Sequence, residues 1–232
     1  MQVGGLKRFL YFLIGLLLYP ASWLFACTAW LLLGHLQGDH SGLSPGLWWM
    51  LGGFVFEVVL FCTLPKPVRT YVLAHELTHA LWGLMMGARV GNLKVSKEGG
   101  SVSVSRTNFL IVLAPYFFPF YTVLVIPAYF LLNLWVDVTD YEYFWLALIG
   151  FTWAFHLCFT VMALSEHQPD IDVYGRVFSY GVIALVNLGG VCLWIVAVSS
   201  ATMGDLGLTL QEEALSMWEG IRGLAENWRK SG

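Results

Sequence analysis

The stretch Tyr71-Val72-Leu73-Ala74-His75-Glu76-Leu77-Thr78-His79-Ala80-Leu81-Trp82 places two histidines and a glutamate in a sequence that has no other charge and no helix breaker. Residues four positions apart share one face of a helix, so the imidazoles of His75 and His79 can bind one Zn²⁺ together. Glu76 lies about 100° further round the helix, where its carboxylate can act as a general base. The alternative is a helix that carries two polar core histidines.

The composition indicates a membrane protein. Of the 232 residues, 58% are hydrophobic and only 12% are charged, which is about half the charged fraction of an average soluble domain. The net charge is −3, and the absence of a basic stripe argues against nucleic acid as a partner. The charges are also confined to short windows between long apolar stretches.

Six of these apolar stretches are long enough to cross a hydrocarbon core of about 30 Å. They lie at residues 9–34, 47–64, 67–87, 108–133, 143–165 and 177–200. The sequence therefore predicts an all-α polytopic membrane protein with about six transmembrane helices, located in the cell membrane or an inner membrane. We expect one membrane domain over residues 1–206, followed by a separate segment at 207–232.

Residues 89–106 interrupt this helical pattern. Two short runs in which Val or Leu alternates with Ser or Lys flank Gly99-Gly100, and this pattern predicts a β-hairpin. The following apolar stretch contains Pro115, Pro119 and Pro127, so we expect a kinked or locally unwound helix there.

The C-terminal segment 207–232 has the pattern of an amphipathic helix. Apolar side chains recur at helical spacing on one face, and charged side chains occupy much of the remainder. Such a helix is typical of the membrane–water interface, with the lipid bilayer as its partner. A partly disordered tail is the alternative interpretation.

A catalytic zinc site needs a third protein ligand besides the two histidines. The candidates are Glu57, His156, Glu166, His167, Asp170 and Asp172. The densest cluster is the segment 165–175, in which Pro169 and Gly175 indicate irregular backbone that can direct a carboxylate into a polar cavity. We predict Asp170 as the ligand, with Asp172 as its rival, and Glu166 and His167 as supporting residues. For Glu57 and His156, a satisfied polar position in the core is the simpler interpretation.

The order of these features resembles the site-2 protease family of intramembrane zinc metalloproteases, in particular its divergent peptidase-like branch. The resemblance covers about residues 67–187: the His75–His79 motif, a hairpin with a Gly-Gly turn, two apolar spans and an Asp-containing segment. It implies that His75, His79 and Asp170 bind zinc, that Glu76 is the general base, and that the hairpin presents an unwound substrate strand. The family's usual Asn-Pro and Leu-Asp-Gly motif is absent, and Gln168-Pro169-Asp170-Ile171 stands in its place.

The function that follows is hydrolysis of a peptide bond in or near a transmembrane segment of a membrane protein, by a zinc-activated water with Glu76 as base. Three alternatives remain. A proteolytically inactive membrane protein could use the same fold for binding or regulation, and a metal-dependent enzyme could act on a lipid or a prenylated peptide. A transporter is the least favoured, since the sequence shows no pair of similar halves with broken helices. The oligomeric state is not predicted.

Strict alternation of six spans divides the cations between the two sides of the membrane. One side receives Lys7, Arg8, Lys66, Arg69, Arg222, Arg229 and Lys230, and the other receives Arg89, Lys94, Lys97, Arg106 and Arg176. This bias is too small for the positive-inside rule to orient the chain. Alternation does predict that Lys66 and Arg176 lie on opposite sides.

Overall fold

The structure, a computed structural model, describes residues 4–36 and 45–231. It contains helices α1 (Gly5–Leu32), α2 (Pro45–Thr63), α3 (Val68–Met85), α4 (Phe109–Leu113), α5 (Phe120–Asn133), α6 (Glu142–Ser165), α7 (Pro169–Tyr174), α8 (Arg176–Val198) and α9 (Met203–Ser231). Short 3₁₀ helices cover Leu33–Leu36, Ala114–Tyr116 and Thr139–Tyr141. The described part of the chain is that of a helical membrane protein with one small sheet, which confirms the predicted class in its coarse form.

The structure supports fewer membrane spans than the six predicted. Among the described residues, four helical segments are long and apolar enough to cross a membrane, and a bent pair of helices raises the number to five. The four are Gly5–Leu32, Pro45–Thr63, Thr139–Ser165 and Arg176–Val198, and the bent pair is Phe109–Tyr116 with Phe120–Asn133. The predicted span at 67–87 became α3, which is not among them because Arg69 and the polar residues of the motif lower its hydropathy. Six spans are therefore not confirmed.

The predicted hairpin at 89–106 is present. Strand β1 (Val90–Val95) pairs antiparallel with β2 (Gly100–Val104), with a register irregularity between Val90 and Leu93. Gly99 has φ of +144° at the turn, a conformation that favours glycine. The hairpin packs along α3: a Cβ on Gly100 would meet Val72 and Glu76, and one on Gly83 would meet Val104.

The proline-rich stretch bends as predicted. The chain bends by 80° between the helical segments Phe109–Tyr116 and Phe120–Asn133. Pro119 occupies the N-cap position of α5, where its missing N–H and fixed φ end the preceding helix. Pro127 lies inside α5 and does not interrupt it.

The described chain forms two compact units. One consists of residue 4 and residues 45–179, and the other of residues 5–36 and 180–231. The candidate site lies entirely within the first unit. The predicted separation of residues 207–232 from a domain spanning 1–206 stays a prediction.

Helices α2 and α6 form the most extensive helix pair of the first unit, and they run parallel. Aromatic contacts join Trp49 to Tyr143, Phe54 to Trp153 and Phe61 to Phe159, so the residue numbers rise together along both helices. A Cβ on Gly53 would lie 1.9 Å from the carbonyl oxygen of Ala147, which shows how closely the backbones approach. The ends of α2 and α6 therefore lie at the same end of the pair, contrary to the alternation expected from six spans.

The second unit combines α1, α8 and α9 around a small buried cluster: Ala29, Leu32, Cys192, Ile195, Ala201 and Leu206. Thr202 and Asp205 cap the start of α9, since the Asp205 carboxylate accepts hydrogen bonds from the backbone N–H and the hydroxyl of Thr202. The predicted C-terminal helix is thus present and begins a few residues earlier, at Met203. Trp218, Ile221 and Leu224 on its apolar stripe are exposed. Its location at a membrane interface stays a prediction.

Candidate metal centre

Helix α3 brings the two motif histidines together. His75 and His79 lie one helical turn apart on the same face, and their Nε2 atoms are 3.2 Å from each other. Both side chains are mostly buried, with 12% and 13% of their surface exposed. The predicted pairing of the two imidazoles is present in the structure.

Asp170 also lies beside the two histidines, although it belongs to a distant part of the sequence, the short helix α7. Helix α6 ends at Ser165, and the extended backbone at Glu166 and Gln168 leads into α7, whose first turn contains Asp170. The Asp170 Oδ2 atom lies 3.3 Å from Nε2 of His75 and 3.4 Å from Nε2 of His79. Among the described residues, these three form the one group of His, Cys, Asp and Glu side chains that could hold a metal ion.

The hydrogen bonds behind the histidines direct their lone pairs toward Asp170. Nδ1 of His79 lies 2.7 Å from the carbonyl oxygen of Ile111, which can only accept, so Nδ1 carries the proton of the neutral ring. Nδ1 of His75 lies 3.3 Å from the hydroxyl of Tyr71, which can accept in the same way. In these neutral tautomers each Nε2 has a lone pair, so a positive charge, either a proton shared with Asp170 or a metal ion, is needed where the two Nε2 atoms and the carboxylate meet.

The spacing of these donors suits a tetrahedral zinc ion. Bonds of about 2.0–2.1 Å to zinc place neighbouring ligands of a tetrahedron about 3.3 Å apart. The three observed separations are 3.2, 3.3 and 3.4 Å. Two imidazoles and one carboxylate leave the fourth position to water, as in catalytic rather than structural zinc sites.

The ionisation state of Asp170 agrees with a ligand role. Burial acts to raise the pKa of this carboxyl group, but the hydrogen bonds and charges of His75 and His79 outweigh burial and hold the pKa below its usual range. Asp170 is therefore a carboxylate at neutral pH, the form that binds a metal ion.

Glu76 stands apart from the three converging side chains. It is buried, with 7% of its surface exposed, and it lies under strand β2. A Cβ on Gly100 would be 2.7 Å from Cγ and 2.9 Å from Oε1 of Glu76, so only glycine allows this approach. The backbone of Val102 also lies near the Glu76 carboxylate. The hairpin thus fixes Glu76 beside the histidines without making it a ligand.

A cavity of about 730 Å³ opens onto the site. Its walls come from α3, the hairpin, α4 and the segment that joins α6 to α7; they include His75, Glu76, His79, Gly99, Gly100, Val102, Glu166, His167 and Asp170. The ligands and Glu76 therefore face one shared space, which is large enough for several residues of a peptide.

The other candidate ligands lie elsewhere. Asp172 pairs with Arg176 at 3.1 Å and with His167 at 3.4 Å, so the structure brings Asp170, and not its rival, to the histidines. Glu166 and His167 line the cavity, and their supporting role stays a prediction. Glu57 is buried in α2. His156 lines a separate space of about 20 Å³ behind His75.

Sequence reasoning missed three groups that surround the ligands. Tyr71 lies four residues before His75, and this helical spacing was a usable signal. Tyr116, whose hydroxyl donates to Oδ2 of Asp170 at 3.3 Å, and the carbonyl of Ile111 had no comparable signal. Both belong to the helical segment 109–116, and only the tertiary structure shows that this segment packs beside His79 and Asp170.

Comparison with protein-family models, curated proteins and solved structures finds no match for this chain. The fold and the site define a class of protein, a helical membrane protein with a His₂-Asp cluster that could hold a metal ion.

Proposed function

We propose that this protein is an intramembrane zinc metallopeptidase of the site-2 protease type, which cleaves membrane proteins in or near a transmembrane segment. The observation that carries the proposal is the convergence of the His75, His79 and Asp170 donor atoms at the spacing of tetrahedral zinc ligands. Glu76 lies in the same cavity without joining them. Zinc peptidases with an H-E-x-x-H motif combine three protein ligands with a free carboxylate in this way.

The chemistry divides between the metal and the chain. Bound zinc would lower the pKa of a water molecule toward about 7 and polarise the scissile carbonyl. Glu76 accepts the proton of the attacking water and passes it to the leaving amine. Because the cavity wall buries Glu76, its carboxylate is poorly solvated and well placed to take a proton.

The hairpin offers a way to present the substrate. A peptide bond in a helix is shielded by its own hydrogen bond, so the segment to be cleaved must first unwind. Strand β2 faces the Glu76 side chain, and its edge lines the cavity that the candidate ligands share. An extended substrate can add to this edge and place a carbonyl near the ligands.

The first test is metal content in the detergent-purified full-length protein. Wild type is compared with Asp170→Ala and Asp172→Ala, and zinc and iron are both quantified, because two imidazoles and one carboxylate also suit iron(II). We expect about one zinc per chain in wild type and in Asp172→Ala, and a loss of most zinc in Asp170→Ala.

The outcomes separate the alternatives. Carefully prepared wild type without any bound metal would mean that His75 and His79 are structural, and the peptidase proposal would be abandoned. One zinc per chain without turnover of any membrane substrate would favour the alternative of an inactive binding or regulatory protein. Equal loss of zinc in both aspartate variants would point to misfolding, which their melting temperatures would reveal.

A further inference from the structure

The segment from α4 to the following 3₁₀ helix, Phe109–Tyr116, touches both elements that supply the ligands. Its Ile111 carbonyl accepts the hydrogen bond from His79 on α3, and its Tyr116 hydroxyl donates to Asp170 on α7. His79 and Asp170 are far apart in the chain and belong to different helices. The segment Phe109–Tyr116 therefore forms hydrogen bonds with two of the three candidate ligands, which belong to two different helices.

Tyr116 is held firmly in this position. It is fully buried, with 0% of its surface exposed, and its ring stands edge-on to the His75 ring at 5.4 Å between centroids. The preceding Pro115 restricts the backbone of the 3₁₀ helix. The distance of 3.3 Å from its hydroxyl to Oδ2 of Asp170 is within hydrogen-bond reach, and a small contraction brings it to the optimum.

Asp170 needs such a partner. Its side chain is 28% exposed and lines a roomy cavity, so the carboxylate has space to rotate away from the histidines. A hydrogen bond from Tyr116 occupies one lone pair of Oδ2 and leaves the other directed at the histidines. The same bond restricts rotation of the carboxylate. Partners of this kind, behind the ligands, commonly change metal affinity by about 10–100-fold.

The other end of the segment is anchored as well. The Asn108 side chain caps α4 by accepting the N–H of Ile111 at 2.9 Å. The cap fixes the first turn of α4, from which the Ile111 carbonyl reaches Nδ1 of His79 at 2.7 Å. The His79 tautomer therefore depends on the same segment that holds Asp170.

We propose that Tyr116 is a positioning residue of the metal centre, which fixes the Asp170 carboxylate as a ligand through its hydroxyl group. The inference rests on the proposed metal site and adds a residue to it. It requires that the hydroxyl, and not only the ring, contributes to metal binding. Tyr116→Phe removes the hydroxyl alone and retains the ring that packs against His75.

The test measures zinc affinity by chelator competition on full-length protein in nanodiscs. We expect Tyr116→Phe to bind zinc about 10–100-fold more weakly than wild type. The matched control is Tyr121→Phe, which removes a hydroxyl that donates to the carbonyl of Thr70 at 2.8 Å, away from the ligands, and should leave the affinity unchanged. Substitution with cobalt(II) adds a spectroscopic signal that reports the coordination of the ion.

The outcomes distinguish this inference from the proposed function. Wild type that binds no zinc overturns the metal site itself. Wild type that binds zinc while Tyr116→Phe binds it equally well, with the same cobalt spectrum, overturns the role of Tyr116 alone. If metal-free Tyr116→Phe melts below wild type, the zinc affinities of the two proteins are compared at a temperature at which the variant is still folded. Unchanged affinity under those conditions would reject the inference.

Discussion

Glu76 and Asp170 face the same cavity, but their surroundings give them different chemistry. Asp170 touches both imidazoles and is held as an anion by them. Glu76 touches the hairpin backbone and is not part of the converging set. A carboxylate that neighbours a metal site without ligating it is the arrangement a general base requires.

Glu76→Gln should therefore separate metal binding from catalysis. The amide has the same shape but cannot accept a proton, so we expect zinc content to stay at the wild-type level and turnover to fall by about 10²–10⁴-fold. The measurement is cleavage of a single-span model substrate by protein reconstituted in vesicles, with metal content determined on the same samples. Glu142→Gln, exposed in the first turn of α6 and outside the cavity lining, is the matched control. Wild-type turnover in Glu76→Gln would reject Glu76 as the base.

At the scale of secondary-structure elements, the hairpin acts on the site through a close backbone approach. Gly100 has no space for a side chain, because a Cβ would lie 2.6 Å from Val72 and 2.7 Å from Glu76. Contacts of that length force either the strand or the glutamate to move. The hairpin is thus part of the site and not only a connection between helices.

Gly100→Ala should impair turnover while leaving the metal ligands in place. We expect zinc content close to wild type and activity reduced by about 10-fold or more, since small displacements of reacting groups have large effects on rate. Zinc content and substrate cleavage are measured together. Gly91→Ala, where the nearest atom would be the Ser103 Cβ at 3.2 Å, serves as the milder hairpin control. Equal activity in the two variants would show that the hairpin does not position Glu76.

Helix α9 should lie at the membrane surface. It begins at Met203, a few residues after α8 ends at Val198, so its start cannot be far from the membrane. We expect a spin label at Ile221→Cys, on the apolar stripe, to be more accessible to oxygen dissolved in lipid, and one at Glu219→Cys to be more accessible to a water-soluble nickel reagent. The measurement is power-saturation spectroscopy in nanodiscs. Equal access of the nickel reagent to both labels would contradict the interfacial location.

At the scale of the whole first unit, the parallel course of α2 and α6 constrains how the chain crosses the membrane. If both helices span in the same direction, the segment between them makes an odd number of crossings. Two complete spans, one from α3 and one from the bent pair of α4 and α5, would make an even number. They therefore cannot both be complete unless another segment between α2 and α6 also crosses the membrane. This agrees with the 80° bend in the pair and with the polar character of α3.

The same packing predicts that Lys66 and His167 are exposed on one side of the membrane, because they follow the ends of α2 and α6. Strict alternation places them on opposite sides. In a variant without native cysteines, Lys66→Cys and His167→Cys should react with an impermeant maleimide from the same side of oriented vesicles. Asp140→Cys, at the start of the α6 span, is the control that should react from the other side. Labelling of Lys66→Cys and His167→Cys from opposite sides would contradict the packing.

Local patterns were sufficient for the features that depend on neighbouring residues. The spacing of His75 and His79 predicted two imidazoles on one helix face, the Gly99-Gly100 pair predicted the hairpin, and the prolines after residue 108 predicted the bend. Each of these follows from backbone geometry over a few positions. The structure brings Asp170 beside the two histidines, although the sequence could not separate it from Asp172 on physical grounds, and its role as a metal ligand stays a prediction.

What local patterns could not supply depends on packing between distant segments. The extended turn before α7 directs Asp170 inward and leaves Asp172 to pair with Arg176. The helical segment 109–116 brings Tyr116 and the Ile111 carbonyl to the candidate ligands. Glycines allow α2 and α6 to pack closely in parallel. Periodicity along the chain specifies the face of a helix on which a residue lies. It does not specify which other helix meets that face, because that depends on contacts between residues far apart in the sequence, and only the tertiary structure shows them.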